Sequence, residues 1–388
     1  MRILVVHNQY RSAFPSGENR VVADEIEMLR VAGVEVHTHL RSSDEIPDFG
    51  RFEKLAMPVR PIYSFDDART LRARLRETRP DVVHLHNPFP LISPWVVRVS
   101  KHAEVPVVQT VHNYRHVCSA GVFYRDGHVC EDCSDKTIPW PGVKHGCYRD
   151  SRAQSAVMAT AQVVHRSTWQ MVDEFLPVTD FVAQHLVRAG IAPNRIAVKP
   201  NATPDPGPPS PIGSGFLFAA RLSREKGVGL LLDAWSRSKL GDTTSLVIAG
   251  DGDERRRVEA AAARIPGVRY VGPQDHSEIA RLMQEAAVVV VPSTWYEGFP
   301  MQVVEAYAAG RPVLATRIGS LASIVDATVG WHAEPDVASL AAALERAADR
   351  EVAGKLGAAA RARFERDLTP EAVTTRLLDS YARVSGRS

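Results

Sequence analysis

The segment Ser293-Thr294-Trp295-Tyr296-Glu297-Gly298-Phe299-Pro300-Met301-Gln302-Val303-Val304-Glu305 combines features suited to a charged, hydroxyl-rich ligand. It follows the apolar run Val288 to Val291 and leads into a helical pattern from Pro300 to Ala309. Pro300 suits the first helical position, where its missing amide would be unpaired anyway. Gly298 lets backbone approach a ligand closely. The amides around Phe299, Met301 and Gln302 are then expected at a helix N-terminus, where unpaired N–H groups favour an anion such as pyrophosphate. Carboxylates accept hydrogen bonds from hydroxyls, so of Glu297 and Glu305 one can hold a sugar ring and the other a ribose. The plainer alternative is a strand-to-helix loop with a solvated glutamate.

A second loop, Ala220-Arg221-Leu222-Ser223-Arg224-Glu225-Lys226-Gly227, also joins a strand to a helix. Arg221 and Lys226 would sit at the ligand-binding edge of the sheet. Two fixed cations can stabilise a diphosphate leaving group without a metal. A basic loop alone is usually just solvated; the carboxylate segment beside it gives it weight. His112 ends an apolar strand, and its imidazole could donate to a sugar hydroxyl. A lone histidine there is otherwise a satisfied structural residue. His84 and His86 are read as facing opposite sides of their strand, His84 into the core and His86 toward the ligand edge.

Four cysteines, Cys118, Cys130, Cys133 and Cys147, are confined to an insertion over 116–149. Only Cys130 and Cys133 form a short metal-type pair. A tetrahedral Zn²⁺ held by four thiolates would fold such a Gly-, Pro- and aromatic-rich loop, which has little core of its own. Four buried or free thiols are the alternative.

These loops need a scaffold. Short apolar runs alternate with helical patterns, which predicts βα units around parallel sheets. Strands are expected at Arg2–Val6, Val34–His39, Asp81–Leu85, Pro106–Val111, Val178 and Ile196–Val198. A second series is expected at Phe216–Ala220, Ser245–Ala249, Arg269–Val271, Val288–Val291 and Pro312–Ala315. Five prolines between Asn201 and Gly213 cannot form a sheet interior. The expected organisation is an N-terminal Rossmann-like domain over 1–200, a linker over 201–213, a C-terminal Rossmann-like domain over 214–369 and a helix over 370–388 that can cross back to the first domain. Two such halves facing each other leave a cleft, and parallel sheets bind ligands at the C-terminal ends of their strands. The helical stretch Ser151 to Val172 packs on a sheet or, on a second reading, lies on a membrane surface.

A chain of 388 residues is too long for one ordinary core, which again argues for two domains. Its net charge of +2, with both signs interspersed, argues against a nucleic-acid partner. No apolar run is long enough to span a bilayer, and Met1 to His7 reads as a buried strand, not a signal peptide. The expected location is the cytoplasm, with the inner face of the plasma membrane open as a working surface. No strand is followed by G-x-G-x-x-G, which argues against a dinucleotide oxidoreductase.

Arg221 and Lys226, then Glu297 and Glu305 with seven residues between them, preceded by Ala249-Gly250-Asp251-Gly252, resemble the retaining glycosyltransferases of family 4, glycosyl transferases group 1 with the GT-B fold. The resemblance covers essentially the whole chain and is strongest from Phe216 to Ile318. It implies an α/β architecture of two Rossmann-like domains facing across a cleft. It implies that Arg221 and Lys226, with Gly298, Phe299 and Met301, bind the donor diphosphate, and that Glu305 binds the ribose. Glu297 and His112 would lie by the transferred sugar, and Gly250, Tyr270 and Pro273 near the base. Gly17, in Gly17-Glu18-Asn19-Arg20, resembles the family's phosphate-side glycine loop, although Ser16 replaces a common second glycine. Asn201-Ala202-Thr203 stands where the family often has an Asn-Gly-Val-Asp turn. The implied reaction is transfer from a nucleotide-diphosphate sugar to a carbohydrate, lipid-linked or small-molecule acceptor, with retention and no catalytic metal. A front-face route, in which the departing phosphate helps deprotonate the acceptor, is preferred to nucleophilic attack by Glu297. The resemblance points to polysaccharide, glycolipid or other glycoconjugate synthesis. A nucleotide-sugar epimerase, a sugar phosphorylase and a non-catalytic sugar-nucleotide-binding protein are the alternatives.

Overall fold

The computed structural model describes residues 1–12 and 17–386, so Ser16 lies outside the described residues. The chain forms two compact units. The first comprises Met1–Phe123, Glu131–Pro200 and the chain from Val373 onward; the second comprises Tyr124–Cys130 and Asn201–Ala372.

The sheet of the first unit runs in the order Glu35–Ser42, Arg2–Gln9, Val82–Leu85, Val107–Val111, Glu174–Pro177. Every pairing is parallel. All residues of Val82–Leu85 and Val107–Val111 are buried, as expected for parallel strands covered on both faces. Helix Gly17–Val31 turns Val21, Val22, Ile26 and Leu29 inward. Their spacing of one, four and three residues is that of one helix face. From the chain end, helix Pro370–Ser385 adds Leu377 and Tyr381 to the same core, beside Ile3, Val5 and Val108.

Two sequence expectations change here. Ile196–Val198 is not a strand; only Ile196 makes an isolated parallel bridge, to Phe175. Ala197 N still donates to the Phe175 carbonyl at 3.0 Å and Lys199 N to the Pro177 carbonyl at 2.9 Å, so the segment runs beside strand Glu174–Pro177 without completing a ladder. Ser151 to Val172 is not one helix but two, Arg152–Val164 and Arg166–Trp169. The break falls at His165, which is fully buried with its Nε2 2.9 Å from the Ile62 carbonyl. Met158 and Trp169 are buried, so the apolar side of this stretch faces the core. Val163 and Val164 of this stretch are exposed, but Phe52, 89%, and Leu55, 78%, on helix Arg51–Ala56 are far more so.

The second unit contains a six-stranded parallel sheet in the order Val268–Gly272, Leu246–Ala249, Phe216–Ala219, Val288–Val291, Val313–Thr316, Gly330–Ala333. Gly330–Ala333 was not among the expected strands; its glycine and the half-buried His332 interrupt the apolar run that marks the others. Strand order reverses between Phe216–Ala219 and Val288–Val291, the topological switch point where ligands of open α/β sheets bind. The loops leaving these two strands are the two singled out from sequence.

The proline-rich stretch carries no helix or strand, but it is firmly held within the second unit. Arg311, 1% exposed, donates to the carbonyls of Ser210, Pro211, Met283 and Gln284. Arg361 pairs with Asp205 at 2.7 Å and donates to the carbonyl of Gly207. A segment without a ladder of its own thus has carbonyls satisfied by two guanidinium forks, Arg311 buried and Arg361 half-buried.

Candidate active site

In the second unit, Glu297 is 5% exposed and fully engaged. Lys226 Nζ donates to Oε1 at 2.8 Å and to Oε2 at 2.9 Å, and Ser293 Oγ donates to Oε1 at 2.6 Å. Burial alone would raise the carboxyl's pKa, but the Lys226 charge and these hydrogen bonds hold it below the usual range. Glu297 is therefore an anion at neutral pH. The Lys226 ammonium also lies 5.6 Å from the Trp295 ring centroid, a cation–π contact.

Backbone geometry forces the two loops together. Thr294 N donates to the Glu225 carbonyl at 2.8 Å. Gly227 has φ +75°, and a Cβ there would lie 1.8 Å from the Pro292 carbonyl oxygen. Only glycine permits that approach. Arg221 is exposed and donates to Glu225 Oε1 at 3.1 Å, an oxygen that Ser223 Oγ also holds at 2.6 Å. Arg221 is thus poised on the loop surface while Lys226 is committed to Glu297.

Helix Met301–Ala308 follows. Pro300 is its N-cap in extended conformation, not its first helical residue, because a ψ of 102° is incompatible with the helix. Among the described residues no side chain caps this helix, so its first amides are open to an anion. Gly298, Phe299 and Met301 are half-buried around that end. Glu305 sits one turn further on and lines a small crevice with Thr203, His276, Ile279 and Met283. Gly250 packs against the Ala220 carbonyl and accepts a hydrogen bond from Tyr270 Oη at 2.9 Å, so these two expected base-side residues meet. Pro273 is exposed just beyond strand Val268–Gly272, and nothing ties it to that pair.

In the first unit, His112 follows strand Val107–Val111, and its Nε2 lies 2.9 Å from His86 Nδ1. The two rings stack with centroids 5.3 Å apart. Burial, then the neighbouring His86 and Lys199, push the His112 pKa well below the ordinary value, so its imidazole is neutral. His86 is buried beside His84 with ring centroids 4.3 Å apart, and Glu25 Oε1 lies 3.2 Å from both rings. The two histidines therefore share one side: residues two apart on a strand point the same way. A cavity of about 20 Å³, room for one hydroxyl-sized group, is lined by Glu18, His86, Gln109, His112 and Arg115. Glu18 accepts from Tyr10 Oη and Asn113 Nδ2, each at 3.3 Å, and burial raises its pKa to about 7. Gly17, exposed at the start of helix Gly17–Val31, has open space where a side chain would project.

Sequence reasoning missed Ser293, Trp295 and Glu225, although all three lie in loops it had singled out. It also missed Glu25 and Lys199, whose pairing spans 174 residues. Cys118, Cys130, Cys133 and Cys147 are each half-buried.

Known proteins agree with this architecture. Residues 16–202 match the "Glycosyl transferase 4-like domain" model and residues 213–350 the "Glycosyl transferases group 1" model. A glycogen synthase of Mycobacterium tuberculosis is 29% identical over 320 residues, 79% of this chain and 69% of that protein. A phosphatidyl-myo-inositol mannosyltransferase of Mycobacterium leprae is 26% identical over 362 residues, 86% of this chain and 84% of its own. Among solved structures, a glycosyltransferase from Rickettsia africae superposes with a TM-score of 0.69 at 19% identity, covering 100% of this chain and 99% of its own. Anabaena HepE, crystallised with UDP, gives 0.67 at 16% identity, covering 99% and 100%. The fold is GT-B. The chain is a glycosyltransferase whose two parallel-sheet units fall largely within the two matched regions.

Proposed function

We propose that this enzyme moves a sugar from a nucleoside-diphosphate sugar to an acceptor hydroxyl with retention of anomeric configuration. The observation that carries this reading is the Lys226–Glu297 pair at the switch point, beside the uncapped end of helix Met301–Ala308. Arg221 and Lys226 would bind the diphosphate together with the backbone at Gly298, Phe299 and Met301. Glu305 would accept the ribose hydroxyls, and Gly250, Tyr270 and Pro273 would border the base. Glu297, held ionised, would orient the sugar, with His112 beside it. An ionised Glu297 already saturated by Lys226 and Ser293 is a poor nucleophile, which favours the front-face route and needs no catalytic metal. The UDP complex of HepE supports a nucleotide donor.

The lipid acceptor named for the mannosyltransferase relative fits a role in glycolipid or cell-envelope polysaccharide synthesis at the cytoplasmic membrane face. Exposed Phe52 and Leu55 beside Arg51 and Lys54 suit peripheral contact with anionic lipid. The four cysteines of the insertion would hold a structural zinc; their common half-burial suits ligands shielded from solvent.

The test is a thermal-shift screen of UDP, GDP and ADP with their sugars, followed by transfer of radiolabelled sugar from the best binder. A ligand that binds only the native state raises the melting temperature. Labelled product on a new acceptor supports the transferase. Epimerised donor or free sugar phosphate would support the alternatives.

A further inference from the structure

A cavity of about 340 Å³ in the first unit lies outside the donor site. It forms where residues 133–139 of the cysteine-bearing insertion cross helices Arg152–Val164, Arg166–Trp169 and Asp180–Arg188. Its volume lies in the range of about 300–1,000 Å³ that small-molecule sites occupy. The space beside His112, about 20 Å³, takes only a hydroxyl-sized group.

Positive charge gathers at the mouth. Lys136, Arg166 and Arg188 line it, all exposed, against the one carboxylate of Asp135. Arg188 faces Glu131 at 3.6 Å, whereas among the described residues neither Arg166 nor Lys136 has an ion-pair partner. Exposed charges are ordinarily just solvated. Two features set these apart. First, Arg166 Nη2 donates to the Lys136 carbonyl at 2.7 Å, which pins the guanidinium to the insertion. A fork fixed beforehand loses less freedom when it grips an anion. Second, the wall behind the cations is amphipathic. Trp169 and Pro139, both buried, give it apolar faces, while Ser134 and Thr137 carry hydroxyls. Ser134 Oγ is shielded from solvent and has no hydrogen-bond partner among the described residues, so a turn about χ1 would offer it to an occupant. A sugar ring has this same mixture, C–H faces with a rim of hydroxyls.

We propose that this cavity binds a saccharide carrying a phosphate or carboxylate group, with the anion held by Arg166, Arg188 and Lys136 and the ring against Trp169 and Pro139. The acceptor is the favoured source of that saccharide. A transferase must hold a second substrate besides its donor, and His116 and Trp169 line both this cavity and the small one beside His112. That source rests on the reading of the chain as a transferase whose sugar lies by His112; the cavity's affinity for an acidic saccharide does not.

The test is calorimetric titration of the full chain with galactose 6-phosphate, galacturonate, galactose and inorganic phosphate. At least one of the two charged saccharides should bind tenfold or more tightly than both galactose and inorganic phosphate, and added salt should weaken it. No preference for the charged saccharides over galactose overturns the proposal, and phosphate binding as well as its sugar ester overturns the saccharide part. Arg166→Ala and Arg188→Gln alter exposed side chains, and melting curves check their folding. Each should weaken the charged saccharide at least fivefold; unchanged affinity in the folded variants puts the ligand elsewhere and overturns the proposal. Transfer from a radiolabelled donor then assigns the source. Label on the charged saccharide identifies it as acceptor, with its KM raised in both variants. A saccharide that binds unlabelled but changes turnover on another acceptor is an effector held by the same cavity. One that binds and does neither overturns a role in the reaction. If no nucleotide sugar supports transfer at all, the proposed function fails, while the titrations still judge the cavity.

Discussion

The Lys226 ammonium lies on both carboxylate oxygens of Glu297, at 2.8 and 2.9 Å, across 71 residues of sequence. The pair joins the two loops that leave the sheet where its strand order reverses. A cation so placed can turn from the carboxylate toward a phosphate when one arrives. The carboxylate, still held by Ser293, is then free to meet a sugar hydroxyl.

Removing either member alone strands the other in a buried site. Lys226→Ala should lower unfolding stability by roughly 3 kcal/mol and weaken nucleoside-diphosphate binding at least tenfold. Glu297→Gln should bind the diphosphate nearly normally but lose turnover. The double variant should recover part of the stability lost in Lys226→Ala. Calorimetric titration with the nucleotide and urea unfolding of the three proteins check this; additive stability losses would mean that the pair is not coupled.

Gly227→Ala tests the backbone approach instead of the charges. A Cβ would meet the Pro292 carbonyl oxygen at 1.8 Å in a left-handed conformation. The 220–227 loop must move away, so donor KM should rise strongly and stability should fall by about 2 kcal/mol or more. Wild-type kinetics from this variant would show that the two loops need not touch.

Acid should weaken the first unit through histidines buried in neutral form. His7 is lowered to about 3, mainly by burial, and His165 to about 4, again mainly by burial; His84 and His112 are lowered well below 6.5. Between pH 6.5 and these folded values the unfolded chain binds more protons. Stability is therefore full above 6.5 and falls as pH drops, by roughly 1.4 kcal/mol per group per pH unit. Glu18, raised to about 7 by burial, acts oppositely between 4.5 and 7, since its folded form binds the extra proton. Four histidines outweigh one glutamate, so urea midpoints should decline from pH 7 to pH 5. A flat or rising profile would contradict this placement of protons.

Purified protein should contain about one zinc per chain, and chelation should lower its melting temperature. Elemental analysis decides: zinc well below one per chain removes the thiolate site from the account.

Much of the site was legible because the chemistry lies in two contiguous loops. The Glu297 to Glu305 run and the Arg221 to Lys226 run each combine a strand end, a glycine and charged side chains, and local signals of that kind survive in sequence. The sheet cores were legible for the same reason, as uninterrupted apolar runs. What failed was non-local. That Glu25 lies beside His84 and His86, that Lys199 neutralises it, and that Tyr381 meets His84 depend on contacts spanning up to 297 residues, which no window of sequence contains. The break at His165 was hidden because the partner that fixes it, the Ile62 carbonyl, lies 103 residues away.

The most direct measurement is a crystal soaked with the nucleotide sugar that stabilises the protein most. Pyrophosphate density is expected between the side chains of Arg221 and Lys226 and the first amides of helix Met301–Ala308, with a sugar hydroxyl on Glu297. Density for the ligand at another place, with that pocket filled only by solvent, would contradict it.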